Sequence, residues 1–204
     1  MAETDAAGGR LMVWTFSRRL VSWLGATLLL LLVIGGLFGM SRMMAYKLYP
    51  FEYRDLVVEE ARRNDIHPLL IAAVIRVESK FKSGTTSRSN ARGLMQIVPE
   101  TGYWAAQQMG FSSFTSEMLF RPEVNIRIGT WYLHYLLDLF DGNLVAALAA
   151  YNGGLGNVSH WLEENTWDGT YEQLDAIPFE ETRMFVKRVL DDYRVYRWLY
   201  GRDF

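Results

Sequence analysis

The stretch PLLIAAVIRVESKFKSGTTSRSNARGLMQIVPET, Pro68 to Thr101, holds Glu78, the single acidic residue between Asp65 and Glu100. Seven consecutive apolar residues, Leu69 to Ile75, follow His67-Pro68. Proline suits the first position of a helix, because its missing N–H would be unbonded there anyway. The stretch therefore opens as a buried helix running to about Lys80. On that helix Glu78 stands over Val74 and Ile75 at i−4 and i−3, with Ile71 two turns back. Two effects raise the pKa of a carboxylate so placed: desolvation by the apolar neighbours, and the negative end of the helix dipole in the last turn. A raised pKa suits a general acid. A Glu that merely ends a helix at the surface has the same local pattern, so the rest of the chain must decide between the two.

Outward from Glu78, residues 82–92 turn polar and rich in Ser, Thr, Gly and Asn, which marks a loop. Beyond it the pattern is helical almost throughout, with helices expected at Glu52–Asn64, Pro99–Met109, Pro122–Phe140, Leu144–Tyr151 and Glu180–Tyr200. Gly110 and Gly142 punctuate their ends, and Asn152 to Gly156 reads as a Gly-rich break. Runs of period-two alternation are missing, which predicts a mainly α fold. Upstream, Leu20 to Met40 carries no charge over 21 positions, the length of a single transmembrane helix. The expected organisation is a tail at 1–19, an anchor at 20–40, a linker at 41–50 and one domain at 51–204. That domain has 16 Lys and Arg against 21 Asp and Glu, and no basic run, so nucleic acid is excluded as a partner. With no cysteine in the chain there is neither a disulfide framework nor a Cys-ligated metal site. The three histidines lack metal-ligand spacing, and no metal or cofactor is expected. Arginine and lysine flank the apolar span equally, Arg10, Arg18 and Arg19 before it and Arg42, Lys47 and Arg54 after it, so charge alone leaves its orientation open.

Three ordered motifs then meet. Glu78-Ser79 with Phe81, Gly93-Leu94-Met95-Gln96-Ile97 with Pro99 and Thr101, and Ala150-Tyr151-Asn152-Gly153 together resemble the catalytic domain of the soluble lytic transglycosylases, the SLT family related to goose-type lysozyme. Pro122 to Leu133 and Ile177 to Val189 extend the resemblance over most of residues 51–200. It implies a lysozyme-like helical fold. It also implies cleavage of peptidoglycan between N-acetylmuramic acid and N-acetylglucosamine to give 1,6-anhydromuramoyl products, with Glu78 serving first as acid and then as base. Most glycosidases need two carboxylates, and Glu78 has no acidic neighbour in the chain; in this family the substrate's own N-acetyl group is thought to serve instead. A second carboxylate arriving from elsewhere in the fold stays open.

By the same resemblance, Ser87, Gly93, Met95, Gln96, Tyr151, Asn152 and Glu181 are expected to bind substrate. Gly93 would let backbone approach the sugar, and Gln96 would offer an acetamido group both donor and acceptor. The chain departs from the family at Asn90-Ala91, where a glycine usually precedes the alanine, and asparagine tolerates the left-handed region better than most residues. Trp104, Trp131, Tyr132, Tyr135, Trp161, Trp167 and Tyr171 are aromatics that either stack on sugars or fill the core, with one or two expected to reach the cleft. The resemblance places the substrate outside the cytoplasm, hence the N-terminus inside and the domain facing the wall. A hydrolytic muramidase and an inactive glycan-binding envelope scaffold are the alternatives.

Overall fold

The computed structural model describes residues 6–204, with side chains from Trp23 onward. The first helix, α1, spans Ala6–Leu48. Within it Trp23–Leu48 is long and apolar enough to cross a membrane, and its large side chains are exposed. The residues expected as a linker instead continue the helix to Leu48, because nothing between Ser41 and Leu48 breaks a helix before Pro50 pushes Tyr49 out of the α region. Of the tail expected at 1–19, residues 1–5 lie outside the described residues. The chain divides into two compact units between Leu48 and Tyr49.

The second unit is helical, as expected. It contains α2 (Arg54–Arg63), α3 (Pro68–Ser79), α4 (Pro99–Gln108), α5 (Pro122–Leu139), α6 (Leu144–Gly153), α7 (Leu155–Glu163) and α8 (Glu180–Tyr200), with short 3-10 helices at Ser116–Phe120 and Leu174–Ala176. Among the described residues the only β pairing is a pair of isolated bridges, Thr86 with Arg92 and Arg92 with Ile97. Most expected boundaries fall within two residues of those observed. The exception is α7, read as part of a Gly-rich break. Its apolar positions Leu155, Val158, Trp161 and Leu162 have helical spacing, but glycines at 153, 154 and 156 mask the pattern. Gly154, at φ 88°, turns the chain between α6 and α7 in a conformation that L side chains rarely adopt.

Helix α3 is the centre of the core. Leu69 to Ile75 are all buried, and at about 1.5–3 kcal/mol for each large apolar side chain this run outweighs any other segment of its length. The helix packs mainly on α8, with α2 beside it. Arg76 joins α3 to α8 through Asp192 at 2.5 Å and lies 3.8 Å over the Tyr49 ring. Tyr196 and Tyr200 of α8 donate hydroxyl hydrogens to the carbonyls of Pro50 and Tyr49, at 2.6 and 2.8 Å. The two helices that bear Glu78 and Glu181 are thereby bound into one frame.

Candidate active site

Helix α3 begins at a cap made by His67, whose Nδ1 accepts the Leu69 N–H at 3.2 Å. It ends abruptly: Lys80 and Phe81 take φ of 53° and 62°, so the chain turns away just after Ser79. Glu78 is left in the last turn, half-buried, at the wall of a cleft of about 440 Å³. Burial pushes its carboxyl up to about 8, and the negative charge of Glu181 adds to the shift. Glu181 stands exposed in the first turn of α8 and lines the same cleft. The second carboxylate that the local sequence around Glu78 lacks is supplied by a helix far along the chain.

The loop after α3 is closely organised. The Ser87 N–H donates to Ala91 O and the Gly93 N–H to Thr85 O, both at 2.9 Å, while Arg92 and Ile97 exchange backbone bonds at 3.0 and 3.1 Å. Asn90 takes φ 62°, the left-handed turn that asparagine tolerates. Ser87 lines the cleft, but its Oγ also accepts the Ala91 N–H at 3.0 Å and lies 2.9 Å from the Ser89 hydroxyl, so it braces the loop as well. Gln96 lines the cleft too. Its Nε2 donates to Gly93 O at 2.7 Å and Thr85 O at 3.2 Å. With both amide hydrogens engaged by the loop, what Gln96 has left for a ligand is its acceptor oxygen.

Two expected ligand residues stand behind the cleft rather than in its wall. Met95 is fully buried: its side chain fills the space beside Gly129, and its carbonyl accepts the Tyr151 hydroxyl at 2.8 Å. Gly93 is buried with φ 77°, and an added Cβ would strike the Leu119 carbonyl and the Asn125 side chain, so protein packing and not a sugar demands the glycine. Asn125, which the sequence reading passed over, is the staple of this region. Its Oδ1 accepts the Met95 N–H at 2.7 Å, and its Nδ2 donates to Arg92 O and Leu119 O at 2.8 Å each. The available signal was a polar residue on the buried stripe of α5.

Tyr151 and Asn152, at the end of α6, both line the cleft. Burial, with Glu78 as the next cause, pushes the Tyr151 phenol well above its usual value, so it stays protonated. Thr182, 1% exposed, donates its hydroxyl to Asn152 Oδ1 at 2.9 Å. That bond turns the Asn152 amide nitrogen away from Thr182. Gly153 beside it keeps α6 close to α8, since an added Cβ would lie 2.9 Å from Thr182 Oγ1.

The profile of the Transglycosylase SLT domain matches residues 55–174, more than half of the chain. The chain belongs to this family. Its SLT domain is 36% identical over 158 residues to the soluble lytic murein transglycosylase of Salmonella typhimurium, covering 76% of this chain and 24% of that protein. It is 38% identical over 116 residues to the membrane-bound lytic murein transglycosylase C of Yersinia pestis, covering 52% of this chain and 32% of the relative. Among solved structures it resembles the 70 kDa soluble lytic transglycosylase of Escherichia coli, with a TM-score of 0.72 and 34% identity over 77% of this chain and 26% of that one. The chain thus spans about a quarter to a third of the length of these relatives.

Within the second unit the fold brings Glu78, Ser87, Gln96, Tyr151, Asn152 and Glu181 to one cleft from four separate segments, Glu181 lying beyond the matched residues. Thr182 and Phe179 also line it and were missed, Phe179 being 45% exposed and in edge contact with Trp161 at 5.1 Å. Single residues of ordinary type in a loop or first helical turn carry no pattern to find them by. Among the described residues no group of three or more His, Asp or Glu is placed to hold a metal ion.

Proposed function

We propose that this protein is a peptidoglycan lytic transglycosylase that cleaves the β-1,4 bond between N-acetylmuramic acid and N-acetylglucosamine without net use of water. The observation that carries the reading is Glu78 itself: a half-buried carboxyl held up to about 8, hence protonated at neutral pH, in the wall of a cleft fit for a saccharide. The named relatives, soluble and membrane-bound lytic murein transglycosylases, support the substrate class.

Glu78 gives its proton to the glycosidic oxygen as the C1–O bond breaks, and the electron pair leaves with the N-acetylglucosamine oxygen. The Glu78 carboxylate then takes the proton of the muramoyl C6 hydroxyl, whose oxygen bonds to C1 and closes the 1,6-anhydro ring. Glu78 ends protonated, ready for another turn. The Gln96 oxygen, the Asn152 amide and the Ser87 hydroxyl are the groups that orient the sugar. Glu181, whose negative charge already acts on Glu78, stabilises the cationic transition state.

A hydrolytic muramidase is the second reading, and Glu181 favours it, since a second acid in the cleft is what a water-activating mechanism requires. Mass spectrometry of digested murein separates the two. We expect 1,6-anhydromuramic acid ends; hydrated reducing ends refute the transglycosylase. The helix Trp23–Leu48 anchors the protein in the cell membrane, N-terminus in the cytoplasm and SLT domain toward the wall. Protease added to intact spheroplasts then digests the SLT domain and leaves an N-terminal tag intact; the reverse pattern overturns this topology.

A further inference from the structure

Trp161 and Trp167 show how this fold places a structural tryptophan: they are 5% and 0% exposed. Trp104 and Trp131 are placed differently. Both stay partly exposed, as do Tyr132 and Tyr135, and the four rings form one continuous set. Centroids of Trp104 and Tyr135 are 4.9 Å apart, and those of Trp104 and Trp131 5.4 Å. Trp131 and Tyr135 lie nearly parallel at 5.8 Å, as do Tyr132 and Tyr135 at 6.5 Å. The set joins the cleft at Tyr132, which lines it and whose ring is 5.5 Å from that of Tyr151.

The helices give this set a direction. Thr101 on α4 and Tyr132 on α5 both line the cleft. Trp104 and Tyr135 stand three residues further along the same helix faces. Three residues advance a helix by about 4.5 Å, the scale of one sugar ring. Trp104 and Tyr135, whose rings are in contact, therefore lie one turn beyond two residues of the cleft wall. An aromatic ring presents a negative face and is stiff, with two χ angles to fix. The C–H face of a β-linked pyranose, polarised positive and flat, is its complement.

We propose that Trp104, Trp131 and Tyr135 form a stacking platform for a further N-acetylated pyranose of the same glycan strand, one unit beyond Tyr132. The platform rests on the saccharide-cleft reading above, and it makes the protein favour long strands over short fragments.

The test uses the full chain carrying Glu78→Gln to prevent turnover, and measures binding of N-acetylglucosamine trimer and hexamer by calorimetry, with indole fluorescence as a second readout. The parent binds the hexamer more tightly than the trimer. Trp131→Ala and Tyr135→Ala each weaken hexamer binding about tenfold, equivalent to about 1.4 kcal/mol, and leave trimer affinity and the thermal midpoint in place. Trp131→Phe, which keeps a ring, restores most of the loss. Unchanged hexamer affinity in the Ala variants overturns the platform alone. So does an equal loss for both oligomers with a fallen midpoint, which is the signature of core packing. A parent chain that binds neither oligomer overturns the cleft reading and the platform together.

Discussion

Glu78 and Glu181 face one cleft from opposite kinds of helix terminus. Glu78 leaves α3 in its last turn, after a fully apolar run, and Glu181 stands in the first turn of α8 among exposed residues. A helix C-terminus disfavours a negative charge and an N-terminus favours one, and burial adds to the contrast. Burial thus keeps the Glu78 carboxyl protonated at neutral pH, while Glu181 lines the same cleft from an exposed first turn. The arrangement teaches that the division of labour between two chemically identical groups is set by their surroundings, and that each helps to set the other, because the charge on Glu181 is one cause of the raised Glu78 pKa.

The largest effect that would break this comparison is Glu78→Gln. Loss of the general acid lowers kcat by about 10²–10⁴, measured as release of soluble muropeptides; activity within about twofold of the parent removes Glu78 from the mechanism. Next is pH. The acid form is required, so kcat/KM falls about tenfold per pH unit above the Glu78 value of about 8, and a rate flat to about pH 10 contradicts the assignment. The sign carries over to stability. An unfolded Glu titrates near about 4.3, so between there and about 8 the folded chain binds the extra proton and loses stability as pH rises. Glu78→Gln removes that loss and gains about 1 kcal/mol over the parent at alkaline pH, reduced by screening in the open cleft, with no gain at about pH 4. Chemical denaturation at both pH values checks it.

Glu181→Gln sharpens the comparison. Removing the like charge lowers the Glu78 pKa, so the alkaline limb moves to lower pH while activity at acidic pH persists. Complete loss at every pH would instead make Glu181 a base for water and the protein a hydrolase. The smallest effect is expected at Thr182. Thr182→Val keeps shape and loses the hydroxyl that holds Asn152 Oδ1, costing about 1 kcal/mol, or roughly fivefold in kcat/KM. Thr182→Ser retains the bond and most of the activity; equal losses in the two variants would show that packing, not the hydrogen bond, is what matters there.

Much of the fold was legible because helix signals are local. Proline at the first position of α3, α4 and α5, apolar periodicity and the uncharged span each need only neighbouring residues. Helix α7 escaped because the glycines around its start hide its apolar spacing, and two of them answer to the fold: Gly153, at the end of α6, is small because Thr182 lies against it, and Gly154 takes the positive φ that turns the chain. The site divides in the same way. Glu78, Gln96, Tyr151 and Asn152 sit in short motifs, and the structure brings them to the cleft. Met95 and Gly93 belong to the same motifs yet serve as support, since their burial depends on Asn125, Leu119 and Gly129 of another segment.

The amino-acid sequence by itself determined an α-helical SLT domain after a long apolar helix, and an acid at the end of a buried helix, because periodicity, capping and motif spacing act over a few residues. Only the tertiary structure decided which groups meet that acid. Glu181 reaches it because α8 packs on α3, a pairing of segments far apart in the chain. The loop holds its shape because the Gln96 and Ser87 side chains bond its backbone groups and Asn90 takes a left-handed turn. Burial and Coulomb interaction depend on distance in space, and the pKa of Glu78 follows from both, burial first and the charge of Glu181 second.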